Sequence, residues 1–480
     1  MRALGAVIGI DPGGSRVKRS LVSVVGVVGL VGGLMASAPG ALAENRGATS
    51  EVRTGGVVTP QALPTSNGSW SPLIPEINGV VNAMELSGDD LYVGGAFTSP
   101  QARIAQVDLS DGTVNAVGTG IGSGEVEALA VTSDGSDLYI GGSFSALTSG
   151  DDSRLTVFSG GTYSAAADVR IGNADVKAIA LSPDDDTLYF GGGFGQLADS
   201  GGTLLSNSWS VYSANRASGA GASLYPNGYN EGSGFGAAPG SPNALIAASD
   251  DTVYGAFDNA YASPDARAAL VFPLSSGTYL DLDPTASKRF FDVVAGGDDT
   301  IFYAGQFESV DGVTDTRYVA AYSKVSGQFS SVGEQLSLSG AHQVNALAYD
   351  SSRQLLYAGG QFADTDLAGT TLNNVGVLDQ RTGKWVPFRV GSFGSNIGVG
   401  SGTGDLVRAI VIDDTVVHIG GGFGSAGGDS AIQYAAVWTW SPPAGDLSQA
   451  LDVSENTPFA VAGQGFIGMA DDSVYIKKAG

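Results

Sequence analysis

The chain has 480 residues, with 23 Lys and Arg against 48 Asp and Glu, a net charge of −25 and no cysteine. That balance repels nucleic-acid phosphates and anionic lipid, and the missing thiols exclude both a disulfide framework and a lipid anchor on an N-terminal Cys. The 73 glycines, 43% hydrophobic content and only 15% charged residues suit many short strands and tight turns rather than helices, whose exposed faces need Lys, Glu and Arg.

Residues 1–43 read as an export signal, with Lys18 and Arg19 ahead of an apolar run at 21–35 and Ala41-Leu42-Ala43 before Glu44. The run is too short and too rich in glycine to span a membrane. Its removal takes four basic residues and one Asp, which leaves the mature chain at −28 with no integral membrane segment. Ahead of it, VIGIDPGGSR resembles the phosphate-binding opening strand of actin-like ATPases, but the likeness stops at the apolar run. Translation starting near Val17 would give a signal of ordinary length. Residues 44–65 carry little periodic apolar content and read as a flexible lead-in.

From Val81 onward one pattern recurs seven times: an apolar strand, an acidic turn, then a second strand closing on Gly-Gly-x-Phe or a near variant. The closing residues Phe97, Phe144, Phe194, Phe257, Phe307, Phe362 and Phe423 are 47, 50, 63, 50, 55 and 61 residues apart. This period predicts an all-β fold, a single β-propeller over 66–480, with four strands in each blade. A third strand follows each Phe, opening with a polar residue (Arg103, Arg154, Asn207, Arg267, Arg317, Asn374, Gln433) placed to bind loop carbonyls of the neighbouring blade. The C-terminal FIGMADDSVYI at 466–476 supplies a first and a second strand with no third, while SNGSWSPL at 66–73 resembles the fourth-strand segment GKWVPF at 383–388. Pairing the two ends predicts an eighth, composite blade; seven blades is the alternative.

The order LYVGGAF, a variable loop, RIAQVD, then DGTV resembles the delta-sixty repeat family of secreted bacterial β-propellers, and is similar to the ectodomains of fungal cortical polarity markers. The likeness covers roughly 66–476. It implies a propeller in a secreted or cell-surface setting, and brings no general catalytic activity with it. The fourth copy departs from it with VYGAF, and the seventh places His418 where others have Tyr.

Asp residues in every first hairpin (Asp89, Asp90, Asp134, Asp137, Asp184, Asp185, Asp186, Asp250, Asp251, Asp298, Asp299, Asp350, Asp413, Asp414, Asp471 and Asp472) must emerge on one face. Turn chemistry explains them; the alternative is a carboxylate ring for Ca²⁺ or a basic surface, although no calcium-loop spacing is present and no other cofactor or metal is indicated. His342 and His418 have no metal-ligand spacing, and His418 is expected to be packed and hydrogen-bonded. The Tyr column (Tyr92, Tyr139, Tyr189, Tyr357, Tyr475) and the seven Phe residues read as packing groups. Two glycine-rich insertions on the opposite face, at 218–242 and 391–405, display Tyr225, Tyr229, Phe235 and Phe393 as candidate ligand contacts. These features predict a secreted or cell-surface binding or scaffold module for a protein or cell-envelope glycan, without catalysis and without a nucleic-acid partner. An extracellular hydrolase of glycosidase or lactonase type, with its site in the central channel, is the alternative.

Overall fold

In the computed structural model the described residues run from Gly68 to Ser441, apart from 146–153, 168, 172–174, 195–196, 200–203, 207–210, 225–240, 259–268, 276–279, 283–288, 298, 337–341, 363–370, 391–396 and 401–403. The backbone of three strands between 459 and 477 is also described. Every element among these residues is a strand.

Each repeat folds as an antiparallel meander. The first runs Val81–Ser87, Asp90–Gly95, Ile104–Asp108 and Thr113–Asn115, and the same four-strand order recurs in the next five. A single bridge, Asp258 to Arg289, joins the fourth and fifth sheets. The first hairpins turn on residues in the left-handed region, among them Gly88 (φ 60°), Asp185 (φ 62°), Asp251 (φ 59°) and Asp414 (φ 50°), which is why Asp and Gly recur there.

The glycine pair that ends five of the seven second strands has a packing cause. A Cβ on Gly94 would stand 2.4 Å from Val126 of the second sheet, and one on Gly95 would stand 2.0 Å from the carbonyl of Val80. The next sheet therefore approaches as closely as bare backbone allows. Gly420 of the seventh sheet meets Val81 of the first in the same way, at 2.5 Å. The seven closing Phe side chains are all buried. First strands touch one another in chain order, and Leu406–Asp413 touches Val81–Ser87. One apolar cluster accordingly joins Val81, Met84 and Val93 to Ala409, Val411 and Ala435.

The seventh sheet corrects the expectation about the termini. The Trp70 segment is a fourth strand, as its sequence indicates, but Gly68–Pro72 pairs with Ala435–Trp440 of the seventh repeat, Trp70 opposite Trp438. It does not pair with 466–476, which lies in a separate sheet of Phe459–Val461, Gly465–Ala470 and Ser473–Lys477. The composite eighth blade is therefore not made from these ends. Pro442 and Pro443 follow the third strand of the seventh repeat, and their missing N–H groups make that stretch a poor ladder partner. The free edge is filled from the N-terminal side, where the Trp70 ring packs 4.9 Å from Trp438 and 5.9 Å from Phe388.

Two of the third-strand opening residues reach neighbouring loops, whereas Arg154 and Gln433 donate to carbonyls of their own repeat, at Ser143 and Ser430, and Asn207 and Arg267 lie outside the described residues. Arg103 Nη1 donates to the carbonyl of Ile121 at 2.9 Å, and Asn374 Nδ2 to that of Val399 at 2.8 Å. In repeats five and seven the strand pairing puts Tyr318 and Tyr434 in this column, one residue after Arg317 and Gln433. Arg103, Tyr318, Asn374 and Tyr434 share a positive φ.

Candidate functional site at the mouth of the central cavity

All seven first strands carry a β-bulge at their second or third residue, shown by register shifts between Val81 and Ala83, Val126 and Ala128, Val176 and Ala178, Pro242 and Ala244, Phe290 and Asp292, Val344 and Ala346, and Val407 and Ala409. A bulge adds one unpaired residue and re-aims its side chain. The bulged residues are Asn82, Glu127, Lys177, Asn243, Phe291, Asn345 and Arg408. Five of them, Asn82, Glu127, Lys177, Asn243 and Arg408, line a cavity of about 240 Å³ bounded by all seven first strands. They sit at the strand end that the chain enters from the preceding repeat, so the insertions at 218–242 and 391–405 lead into this same end.

Two of the amides brace the ring. Asn82 Nδ2 donates to the carbonyl of Val126 at 3.0 Å and to Glu125 Oε2 at 3.2 Å, and Asn243 Nδ2 donates to the carbonyl of Phe290 at 2.8 Å. Lys177 and Arg408, by contrast, make no hydrogen bond or ion pair among the described residues, and neither does Glu127. Burial pushes the Glu127 carboxyl up to about 7; Asp175 and Glu125 push the same way, and Lys177 and Arg408 oppose them. Just inside the mouth, six repeats place Ala83, Ala128, Ala178, Ala244, Ala346 and Ala409, whereas the fifth places Asp292. Its Oδ1 accepts from Val293 N–H at 2.8 Å and its Oδ2 from Leu347 N–H at 2.6 Å, while burial raises its pKa to about 7.

The Asp turns at the other end are tied into the scaffold. Asp137 pairs with Arg216 at 2.5 Å, Asp250 with Lys324 at 3.1 Å and Asp414 with Arg353, each joining adjacent sheets. Asp185 accepts from the backbone N–H of Ser133 at 2.8 Å. Asp134 is held down at about 2 by the backbone N–H of Ser136 and the hydroxyl of Thr132. Among the described residues no group of three or more His, Cys, Asp or Glu side chains is placed to hold a metal ion.

Tyr225, Tyr229, Phe235 and Phe393 lie outside the described residues, as do Asp298, Asp471, Asp472 and the side chain of Tyr475. Tyr139, Tyr189 and Tyr357 are buried between sheets. His418 is also buried but, against expectation, neither ring nitrogen has a hydrogen-bond partner, and desolvation holds its pKa down at about 4. A hydroxyl-sized reach separates it from the Tyr residues of its column: the shorter imidazole ends inside the apolar packing between Val411 and Val437, its strand partners.

The bulge ring was missed from sequence, although its signal is plain once seen: a polar residue between Val and Ala in VNA, VEA, VKA, VNA and VRA. Amphipathic strands alternate, and two successive inward residues look like noise unless a bulge is assumed.

No protein-family model matches the chain, and no curated protein matches it significantly. Among solved structures it is similar to U3-55K, with 10% identity over 80% of this chain and 100% of that one at a TM-score of 0.49. It is also similar to the extracellular domain of a one-component system from B. thetaiotaomicron, with 14% identity over 84% of this chain and 46% of that one at a TM-score of 0.46.

Proposed function

We propose that the seven sheets form one seven-bladed propeller of the delta-sixty repeat type, exported by residues 1–43, which acts outside the cell or on its surface as a non-catalytic binding module. The observation that carries this reading is the contrast between the two ends of the cavity. At the Asp-turn end the charged groups are engaged with one another, whereas Glu127, Lys177 and Arg408 at the insertion-bearing end are free to meet a ligand. A protein or cell-envelope glycan would be gripped by the insertion aromatics Tyr225, Tyr229, Phe235 and Phe393 around that mouth.

The test is binding to glycan arrays and cell-wall fractions by the wild type and by a variant with these four residues changed to Ser. The variant is expected to melt like the wild type and to bind at least about tenfold more weakly. Equal binding by the two proteins counts against the aromatic surface.

One observation favours the hydrolase reading: Glu127 and Asp292 line the same cavity, both with pKa values near 7. Asp292, however, already accepts a backbone N–H on each oxygen, which suits a structural brace better than a group that exchanges protons in turnover. Turnover of nitrophenyl glycosides or lactones that disappears in Glu127→Gln would establish that reading instead.

A further inference from the structure

We infer that the cavity mouth is a subsite for one monocarboxylated sugar, a hexuronate-sized acid whose carboxylate is held by Lys177 and Arg408 while Asn82, Asn243 and Glu127 meet its hydroxyls. This rests on the reading of the mouth as the recognition centre and adds the ligand's chemical class.

Size is the first argument. The cavity of about 240 Å³ is below the roughly 300–1,000 Å³ of pockets that hold drug-sized molecules, so a single ring is the largest group it admits. Charge is the second. In a chain of net charge −25, two cations line one small cavity without a hydrogen bond or ion pair among the described residues. Lys177 is half-buried and Arg408 exposed at the mouth, and neither is committed to a scaffold group, which leaves both charges open to a ligand anion.

The sign and number of ligand charges follow from the surroundings. Lys177 and Arg408 would repel an ammonium group. A phosphate dianion would bring a second charge against Glu127 and Asp292, with Glu85 also on the wall and Glu125 and Asp175 behind it. One carboxylate matches the guanidinium fork and the ammonium without that excess. The polar partners around these cations are two-way groups: the Oδ1 atoms of Asn82 and Asn243 accept, and a protonated Glu127 both donates and accepts, as sugar hydroxyls require.

Glu127 also makes binding depend on pH. An anion between Lys177 and Arg408 weakens the support those cations give to the Glu127 carboxylate, so the complex holds Glu127 protonated and takes up a proton near pH 7. Affinity should then fall by up to about tenfold per pH unit above pH 7, since the ligand's own carboxyl stays ionised throughout.

The experiment is calorimetric titration of the full mature chain at pH 6 and pH 8 with glucuronate, methyl glucuronide, glucose, glucosamine and glucose 6-phosphate. Glucuronate is expected to bind at pH 6 at least about tenfold tighter than the last three. Methyl glucuronide binding equally well would identify the end of a polysaccharide as the source, and its exclusion a free sugar acid; both outcomes support the inference. Lys177→Met with Arg408→Met should abolish binding at an unchanged melting temperature, and Glu127→Gln, which needs no change of shape, should bind with the pH dependence removed. Preference for glucosamine or for glucose 6-phosphate, or no uptake of glucuronate by the folded wild type, would overturn it. The two readings fail separately: array binding that survives in the Lys177 and Arg408 double variant sinks this subsite and leaves the binding module standing.

Discussion

The two ends of the first strands use the same residue types to opposite effect. At the Asp-turn end, Asp134 is held at about 2 by a backbone N–H and a hydroxyl, and Arg216, Lys324 and Arg353 each reach across to a carboxylate of an adjacent sheet. At the bulge end, Glu127 and Asp292 are lifted to about 7, and Lys177 and Arg408 have no bonded partner among the described residues. The difference is backbone geometry. A tight turn surrounds its carboxylate with local N–H and hydroxyl donors in open water, whereas Glu127 on its bulge and Asp292 beside one face the cavity, where desolvation outweighs their partners. One end therefore holds sheets together, and the other is left to bind.

In the proposed seven-bladed ring both ends depend on closure, so opening it should have the largest effect. Deleting Gly68–Pro72 strips the outer strand from the seventh sheet and removes Trp70 from its aromatic cluster. Trp70→Ala alone should cost about 3 kcal/mol in urea unfolding, and the deletion more. Because the chain has no cysteine, Ser69→Cys with Thr439→Cys, which face each other in the ladder and are both exposed, should form one disulfide and raise stability. A cross-link that fails to form would break this account of closure.

A smaller effect should separate the two ends directly. Arg353→Met leaves Asp350, whose side chain is only 8% exposed, without its cation and removes the tie to Asp414; the expected loss is about 2 kcal/mol. Arg408→Met removes a cation with no bonded partner and should change stability by less than about 0.5 kcal/mol. Equal losses at the two sites would erase the distinction between them. Within the cavity, Asp292→Ala restores the residue found in the other six repeats but frees the Val293 and Leu347 N–H groups, at a cost of about 1 kcal/mol.

Much of this was legible in the sequence, because a repeat writes its constraints several times over. Gly-Gly before Phe marks where one sheet meets the next, and Asp in the hairpin marks a left-handed turn. The fourth-strand character of the Trp70 segment was legible too, but its partner was not: a ladder leaves its mark on both strands only as apolar alternation, which Ala435–Trp440 and 466–476 share. The bulge ring was hidden for a related reason. A single inserted residue shifts the alternation by one without altering composition, and Phe291-Asp292 breaks the Val-x-Ala pattern in the fifth copy.

Stability against pH separates the groups in another way, because here they oppose one another. Glu127 and Asp292 have pKa values raised from 4.5 and 3.8 to about 7, so they favour the folded state at low pH, and that contribution is lost as pH rises from about 4 to 7. His418, lowered from 6.5 to about 4, favours the folded state above pH 6.5 and loses that contribution as pH falls toward 4. The two carboxyls outweigh the one imidazole, so the wild type should lose stability in thermal melts as pH rises from about 4 to 7. His418→Tyr should leave a decline toward pH 7, and Glu127→Gln with Asp292→Asn should leave a decline toward pH 4. Identical profiles for the two variants would contradict the assignment.

The most direct measurement is a titration of side-chain carboxyl carbons by ¹³C NMR in the folded protein, with Asp134, Glu127 and Asp292 assigned by substitution. The account predicts that Asp134 titrates near 2 while Glu127 and Asp292 titrate near 7. If all three instead titrate together in the ordinary carboxylate range near 4, the two ends are chemically alike and the bulge ring has no claim to be the site.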